Sequence, residues 1–169
     1  MTKVALCLYG KLDGSYVNWT KKIVHNRWKH TSNKIKQNII DCTECDVYLH
    51  AFADNIEKEK PLILDIYKPI KYKIENDIDF SDIYKKHPLY KKFNKHRFWE
   101  NRWAATYTMT ESINMCLNSG KKYDTIICTR FDYQPNEKYD LSKLDTDKLY
   151  MEENGGKNLL KRGLAGDYM

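Results

Sequence analysis

A short apolar run at residues 125–128 sets the strongest limit on how this chain can fold. The run is rich in β-branched side chains, follows a turn at Ser119 and Gly120, and gives way to polar residues. It predicts a strand buried on both faces, as strands of a parallel sheet are. The strand leads into Arg130 and Asp132, and ligands of open parallel sheets bind beyond the carboxyl ends of their strands. Such a pair suits a phosphate and a metal, and it equally suits an ordinary salt bridge.

Further strands are predicted at residues 4–8, 46–53, 70–74 and 149–151, because each is a short run of apolar or alternating residues. Helical patterns separate most of them, and this alternation is typical of a parallel α/β sheet. A long helix is predicted after the first strand from the spacing of its apolar residues, which are Tyr16, Trp19, Ile23, Ile35 and Ile39.

Two more helices are predicted between the later strands. The first runs from Lys60 to Tyr67, and the second covers residues 98–117. In the second helix one stripe of residues shares a face at three- and four-residue steps, and its members are Trp99, Trp103, Thr106, Thr110, Ile113 and Leu117. Arg102, beside that stripe near the helix start, is a candidate for binding an anion or an ordinary surface arginine.

The loop at residues 9–14 joins the first strand to the predicted long helix. It contains Gly10, Lys11 and Gly14, and such a turn can offer backbone N–H groups and a helix N-terminus to a phosphate. It matches neither the P-loop nor the dinucleotide fingerprint, and glycines this close together more often simply turn the chain. His50, inside the predicted strand 46–53, is interpreted as a packed core histidine.

Composition narrows the class of protein. The chain has 169 residues, a length that predicts one domain. Of these residues 41% are hydrophobic and 31% charged, a composition typical of globular proteins. No run has membrane-spanning length and no signal peptide opens the chain, so we expect no membrane span and a cytoplasmic location. The net charge of +6 is spread among interleaved lysines and acids, which favours a solvated surface over a nucleic-acid site. The basic, aromatic segment 84–97 keeps nucleic-acid binding as the weaker alternative.

The five cysteines are expected to be reduced, because their number is odd and no secretion signal is present. Cys42 and Cys45 have C-x-x-C spacing but precede a strand, and no second pair completes a zinc site. Cys7 and Cys128 lie in apolar strand candidates and are predicted to be buried small hydrophobic residues.

Five segments together resemble the N-terminal part of GT-A-type nucleotide-sugar glycosyltransferases, in particular a group found in large DNA viruses and bacteria. They read "VALCLYGKL", "CDVYLHAF", "NRWAATYTMTESINM", "YDTIICTRFDY" and "RGLAGDYM". The resemblance implies a Rossmann-like, mostly parallel sheet with flanking helices in a single domain over residues 1–169. Residues 1–133 would form the nucleotide-binding half and residues 134–169 the start of an acceptor half, with the domain continuing beyond the end of this sequence.

The resemblance also implies roles for particular residues. Gly10 and Lys11 would lie by the nucleotide, Arg102 near the diphosphate, and Arg130 and Asp132 at a metal site. Arg130 occupies the place of the first Asp in the usual D-x-D pattern, so one carboxylate would remain for Mn²⁺ or Mg²⁺.

A transfer of this kind also needs a base that takes the proton of the acceptor hydroxyl, and Asp167 is the residue that the resemblance suggests for it. The predicted function is transfer of a sugar from a nucleotide-diphosphate donor to a glycan or other hydroxyl acceptor. The alternatives are a nucleotide-sugar-binding domain without activity and a basic nucleic-acid-binding module.

Overall fold

The computed structural model describes residues 3–12, 16–17, 23–24, 27–90 and 96–141. The predicted strand at residues 149–151 and the predicted base Asp167 lie outside these residues. Within them, the strands are β1 (Val4–Lys11), β2 (Tyr16–Val17), β3 (Ile23–Val24), β4 (Asp46–Phe52), β5 (Lys71–Glu75) and β6 (Thr125–Arg130). The helices are α1 (Arg27–Ile35), α2 (Asp41–Thr43), α3 (Ile56–Tyr67), α4 (Ser81–Tyr84) and α5 (His96–Leu117), with a π-helical turn (Lys36–Ile40) between α1 and α2.

Four strands form one sheet in the order β5-β4-β1-β6, and every neighbouring pair in it is parallel. The two central strands, β1 and β4, are buried along almost their whole length because helices cover both faces of the sheet. The prediction of a parallel α/β sheet with flanking helices is therefore confirmed.

The two faces of the sheet carry separate cores. On one face Leu6 and Leu8 of β1 and Val47 and Leu49 of β4 pack with residues from α1 and α3, such as Trp28. Alternate residues of the same strands point to the other face and pack against α5, because successive strand side chains point to opposite sides. The helix α5 runs against the strand direction, since its end lies by Ala5 near the start of β1 and its first half by Phe52 at the end of β4.

The predicted burial of the strand at residues 125–128 is wrong. β6 lies at one edge of the four-stranded sheet, and its exposed and covered residues alternate, with Ile126 exposed by 40%. Cys128 is also exposed, whereas Cys7 on the central strand β1 is buried as predicted. A short apolar run fits an edge strand as well as a central one, so the sequence pattern does not distinguish the two.

The predicted long helix after β1 is also wrong in its first half. Tyr16 and Ile23 belong to a two-stranded antiparallel ribbon, with Tyr16 opposite Val24 and Val17 opposite Ile23. β-branched and aromatic residues favour strands, and here this preference prevails over their helical spacing. The helix begins only at Arg27, and Ile35 and Ile39 then bury their side chains as the pattern predicted.

Helix α3 starts earlier than predicted. Asn55 caps it, because its side chain accepts a hydrogen bond from the amide of Lys58 at 3.0 Å. Pro61 therefore lies inside the helix and does not begin it. The chain leaves α3 through Lys68, which has a positive φ of 44°, and enters β5.

The sheet-facing stripe of α5 differs from the predicted one. The residues with no exposure are Thr108, Ser112 and Cys116, one helical turn apart, whereas Trp99 and Trp103 are only partly buried. Thr108 and Ser112 donate their hydroxyl protons to carbonyls within the helix, so their burial leaves no donor unsatisfied. Small side chains at these places let the helix approach the sheet closely.

Gly10 and Lys11 are the last residues of β1 and not part of a loop. Gly10 has φ of +122°, a conformation that residues with a Cβ rarely adopt. Within the residues that the structure describes, no helix is long and apolar enough to cross a membrane.

Candidate functional site at the carboxyl edge of the sheet

The carboxyl ends of the four parallel strands lie along one edge of the sheet. Backbone hydrogen bonds extend the pairing past the strand ends, from Phe131 to the carbonyl of Tyr9 at 3.1 Å and from Leu12 to the carbonyl of Phe52 at 2.9 Å. The predicted residues Lys11 and Arg130 therefore lie on neighbouring strands at the same edge. This edge is the usual place for a ligand in an open parallel sheet.

Lys11 is held by two carboxylates at this edge. Its Nζ donates to Oδ1 of Asp54 at 2.7 Å and to Oδ2 of Asp77 at 2.5 Å. Partial burial alone would lower the pKa of Lys11, but the two carboxylates outweigh it and raise the pKa. The ammonium is therefore fixed and charged at the end of β1. One cation that lies between two anions gives this part of the edge a net negative charge.

Arg130 and Asp132 form a second ion pair at the end of β6. The guanidinium donates through Nε to Oδ1 at 2.7 Å and through a terminal nitrogen to Oδ2 at 2.8 Å. This two-bond geometry holds the guanidinium plane in one orientation, as a phosphate would also require. The side chain of Arg130 is 45% exposed, so its pairing with Asp132 is accessible to an anion in solution.

Arg102 lies in the first third of α5, and its side chain is partly buried. The helix starts at the carboxyl edge of the sheet. Its neighbours Trp103 and Tyr107 pack against Phe52, the last residue of β4. The structure therefore places Arg102 on a helix that covers the same edge. Arg102, Lys11 and Arg130 are the three cations that the sequence predicted for the donor.

The described residues do not fit a divalent metal ion. Both oxygens of Asp132, the predicted ligand, accept hydrogen bonds from Arg130. Among the described parts of the chain, no group of three or more His, Cys, Asp and Glu side chains could hold a metal ion. Mn²⁺ or Mg²⁺ would need Arg130 to release this carboxylate, because a guanidinium and a metal compete for the same lone pairs.

A polar cluster that the sequence did not predict lies on the α5 side of the sheet. Nε2 of the fully buried His50 is 2.9 Å from Oε1 of Glu75, and Nζ of Lys73 is 3.0 Å from Oε2 of the same carboxylate. Lys73 also donates to the hydroxyl of Tyr107 at 3.2 Å. The Nδ1 atom of His50 is buried, and no hydrogen bond to it is found among the described residues. His50 is a core residue, as predicted, although one with a charged partner.

Asp54 and Asp77 are the residues at the edge that the sequence reasoning missed. Asp54 lies two residues after the end of β4, and the rule that ligands bind at strand ends could have identified it. The same signal exists for Asp77, which lies two residues after the end of β5, although no sequence pattern links it to Lys11. Asp167, the predicted base, lies outside the described residues.

No known protein family matches the chain, and neither a curated protein nor a solved structure shows significant similarity to it.

Proposed function

We propose that the carboxyl edge binds the diphosphate of a nucleotide sugar and that the protein transfers the sugar to a glycan or other hydroxyl acceptor. The observation that supports this most is the position of Lys11 and Arg130 at the ends of adjacent parallel strands, β1 and β6. Two cations on neighbouring strand ends suit the two phosphates of such a donor once the phosphates replace Asp54, Asp77 and Asp132 as their partners. The closer assignment to GT-A-type glycosyltransferases belongs to the same proposal.

The chemistry explains why cations are needed. Breaking the bond between sugar and phosphate leaves a nucleoside diphosphate, on which negative charge grows during the reaction. Fixed cations stabilise that charge more than they stabilise the ground state, and this difference accelerates the reaction. Arg130 is oriented by Asp132, and Lys11 by Asp54 and Asp77. In this proposal Asp167 is the base that accepts the proton of the acceptor hydroxyl.

The proposal assigns no step to a metal ion, since the residues that the structure describes do not fit one. Arg130 occupies the place where the resembled family has a carboxylate, and it supplies positive charge without a metal. We therefore expect nucleotide binding to persist in the presence of a chelator. A strict requirement for Mn²⁺ or Mg²⁺ would show that Asp132 leaves Arg130 and binds the metal.

A specific observation also supports the second candidate, a nucleotide-sugar-binding domain without activity. The ion pair between Arg130 and Asp132 is complete without a ligand, and such closed pairs are often purely structural. The two candidates share the donor site and differ only in the transfer step.

The experiment that tests the proposal is a thermal-shift screen with UDP, GDP and their common sugar conjugates, each with Mn²⁺ and with a chelator. A ligand that binds the native state raises the melting temperature. Adenosine and inorganic phosphate serve as controls for the base and the phosphate alone. If no nucleotide diphosphate raises the melting temperature, the donor site is wrong.

A ligand that binds is then tested for release of its nucleoside diphosphate, with and without acceptor glycans. Release supports transfer, and binding without release supports the inactive domain. Salt-sensitive binding of an oligonucleotide, lost on charge reversal at Lys91, Lys92 and Lys95, would instead support the nucleic-acid-binding module.

A further inference from the structure

Three of the five cysteines lie together on the α5 side of the sheet. Cys7 of β1 and Cys128 of β6 are direct partners in the parallel pairing of these strands, so their side chains point to the same face. Cys116, near the end of α5, packs against the same buried cluster as Cys7. All three are free thiols.

The three thiols differ in how they meet solvent. Cys7 and Cys116 have no exposed surface, whereas Cys128 is exposed because β6 is an edge strand. Of the three residues, Cys128 is therefore the one that solvent reaches. The buried thiol of Cys7 lies beside it on the central strand, where the sheet excludes solvent.

The three thiols also differ in pKa. A hydrogen bond from Cys7 lowers the pKa of the Cys128 thiol and outweighs the effect of desolvation. The same contact, together with burial, raises the pKa of Cys7, and burial raises the pKa of Cys116. The thiolate is the reactive form of cysteine, so Cys128 is the nucleophile of the three.

We propose that Cys128 is a peroxide-reactive thiol and that Cys7 converts its oxidised form into a Cys7–Cys128 disulfide. Low-pKa, accessible cysteines beside a second cysteine are typical of redox-sensitive sites. The pairing of the two strands supports the bridge, because neighbouring strands lie about 4.8 Å apart. That spacing is within the range of about 4.4–6.8 Å between the Cα atoms of disulfide-bonded residues.

The reaction has two steps. In the first, the Cys128 thiolate attacks one oxygen of a hydroperoxide and breaks the O–O bond. The sulfur takes the hydroxyl group and becomes a sulfenic acid, and the alkoxide or hydroxide that leaves takes up the proton that the Cys128 thiol had lost, which gives the alcohol or water. In the second, the sulfur of Cys7 attacks the sulfur of Cys128, and the hydroxyl group leaves with the proton of the Cys7 thiol as water. Two thiols are oxidised and one peroxide is reduced.

The test uses a chain in which Cys42 and Cys45 are replaced by Ser, because their C-x-x-C spacing offers a separate bridge. The folded protein is treated with hydrogen peroxide, denatured, alkylated and analysed by peptide mass spectrometry. We expect the peptides of Cys7 and Cys128 to be joined and lighter by two hydrogen atoms, and Cys116 to be alkylated. Cys116→Ser should keep the bridge and Cys128→Ser should lose it.

The intermediate is tested with dimedone, which labels sulfenic acids. In Cys7→Ser, where the second step is blocked, the label should accumulate on Cys128, and Cys7→Ala serves if that variant does not fold. A bridge from Cys128 to Cys116, a bridge between two chains, or alkylation of Cys128 after peroxide would each overturn the proposal. So would a Cys128 that reacts no faster with peroxide than glutathione does.

Discussion

His50 and Glu75, on the neighbouring strands β4 and β5, are joined by a 2.9 Å contact between Nε2 and Oε1, although the imidazole has no exposed surface. Burial lowers the pKa of His50 below its ordinary value of 6.5 and outweighs the hydrogen bond and charge of Glu75. Lys73 on β5 opposes protonation of this ring, and Glu111 on α5 favours it. His50 is therefore neutral in the folded protein at neutral pH.

This pairing predicts a loss of stability in mild acid. Below pH 6.5 the unfolded chain protonates His50 while the folded protein does not, so the unfolded state binds more protons. The free energy of unfolding should fall as the pH drops from about 7 towards about 5. In His50→Gln the fall should be smaller, whereas the control His30→Gln, at an exposed histidine, should match the wild type. Urea unfolding at several pH values measures it.

Glu75 acts in a separate pH window. Although burial alone would raise its pKa, hydrogen bonds from Lys73, Tyr107 and His50 lower it below the ordinary 4.5. Its contribution is present above pH 4.5 and is lost at lower pH, so it does not account for a change near pH 6. Equal slopes for His50→Gln and the wild type between pH 7 and 5 would contradict the assignment to His50.

Replacing Arg130 by alanine is expected to weaken nucleoside-diphosphate binding. The change removes a charged donor at the end of β6, and hydrogen bonds to charged groups contribute about 1.5–3 kcal/mol. The matched control is Lys121→Ala, because Lys121 also forms an exposed ion pair, with Asp46 at 2.8 Å, but at the start of β4 on the opposite edge of the sheet. Calorimetric titration with UDP and GDP measures both. Equal affinities in the two variants would remove Arg130 from the donor site.

Arg102→Ala should also weaken diphosphate binding, by about 1.5–3 kcal/mol. Its place on the part of α5 that covers the end of β4 puts it at the carboxyl edge. Asn101→Ala, one residue earlier on the exposed side of the same helix, controls for changes in the helix itself. An unchanged nucleotide titration for Arg102→Ala would restrict the site to the strand ends.

Ser112→Leu should destabilise the protein strongly. Ser112 has no exposed surface on the sheet-facing side of α5, and extra atoms in a packed core cost about 1–3 kcal/mol. Asn114→Leu, on the exposed side of the same helix, should change the free energy of unfolding by less than about 0.5 kcal/mol. Denaturation in urea compares the two. Similar midpoints would mean that α5 does not pack closely on the sheet through this residue.

The sequence predicted the parts of the fold that depend on strong local patterns. β1, β4, β5 and β6 were found within a few residues, because short apolar runs with turns between them have few alternative structures. The helical spacing of Tyr16 and Ile23 misled, since strand pairing with Val24 and Val17 decides the outcome there. The buried face of α5 was missed because it includes Thr108 and Ser112, and a search for regularly spaced apolar residues does not include polar side chains.

The site shows the same division. Lys11, Arg130 and Asp132 were predicted because each lies at or just after a strand end, and the rule for parallel sheets needs only that local fact. The partners of Lys11 and of His50 come from residues far along the chain, Asp77 and Glu75, and only the folded structure brings them close. Their chemistry depends on strand order, which the sequence pattern does not contain.

The order of the strands means that the two cations of the proposed site, Lys11 and Arg130, are on strands with different numbers of hydrogen-bonded neighbours. Lys11 ends β1, which is hydrogen-bonded on both sides, whereas Arg130 ends β6, which the described part of the sheet holds on one side. Outer strands open more readily than central ones, and their amide protons exchange faster with solvent. A ligand that contacts both cations would tie the outer strand to the inner one, so its arrival should be visible as slower exchange along β6 while β1 hardly changes.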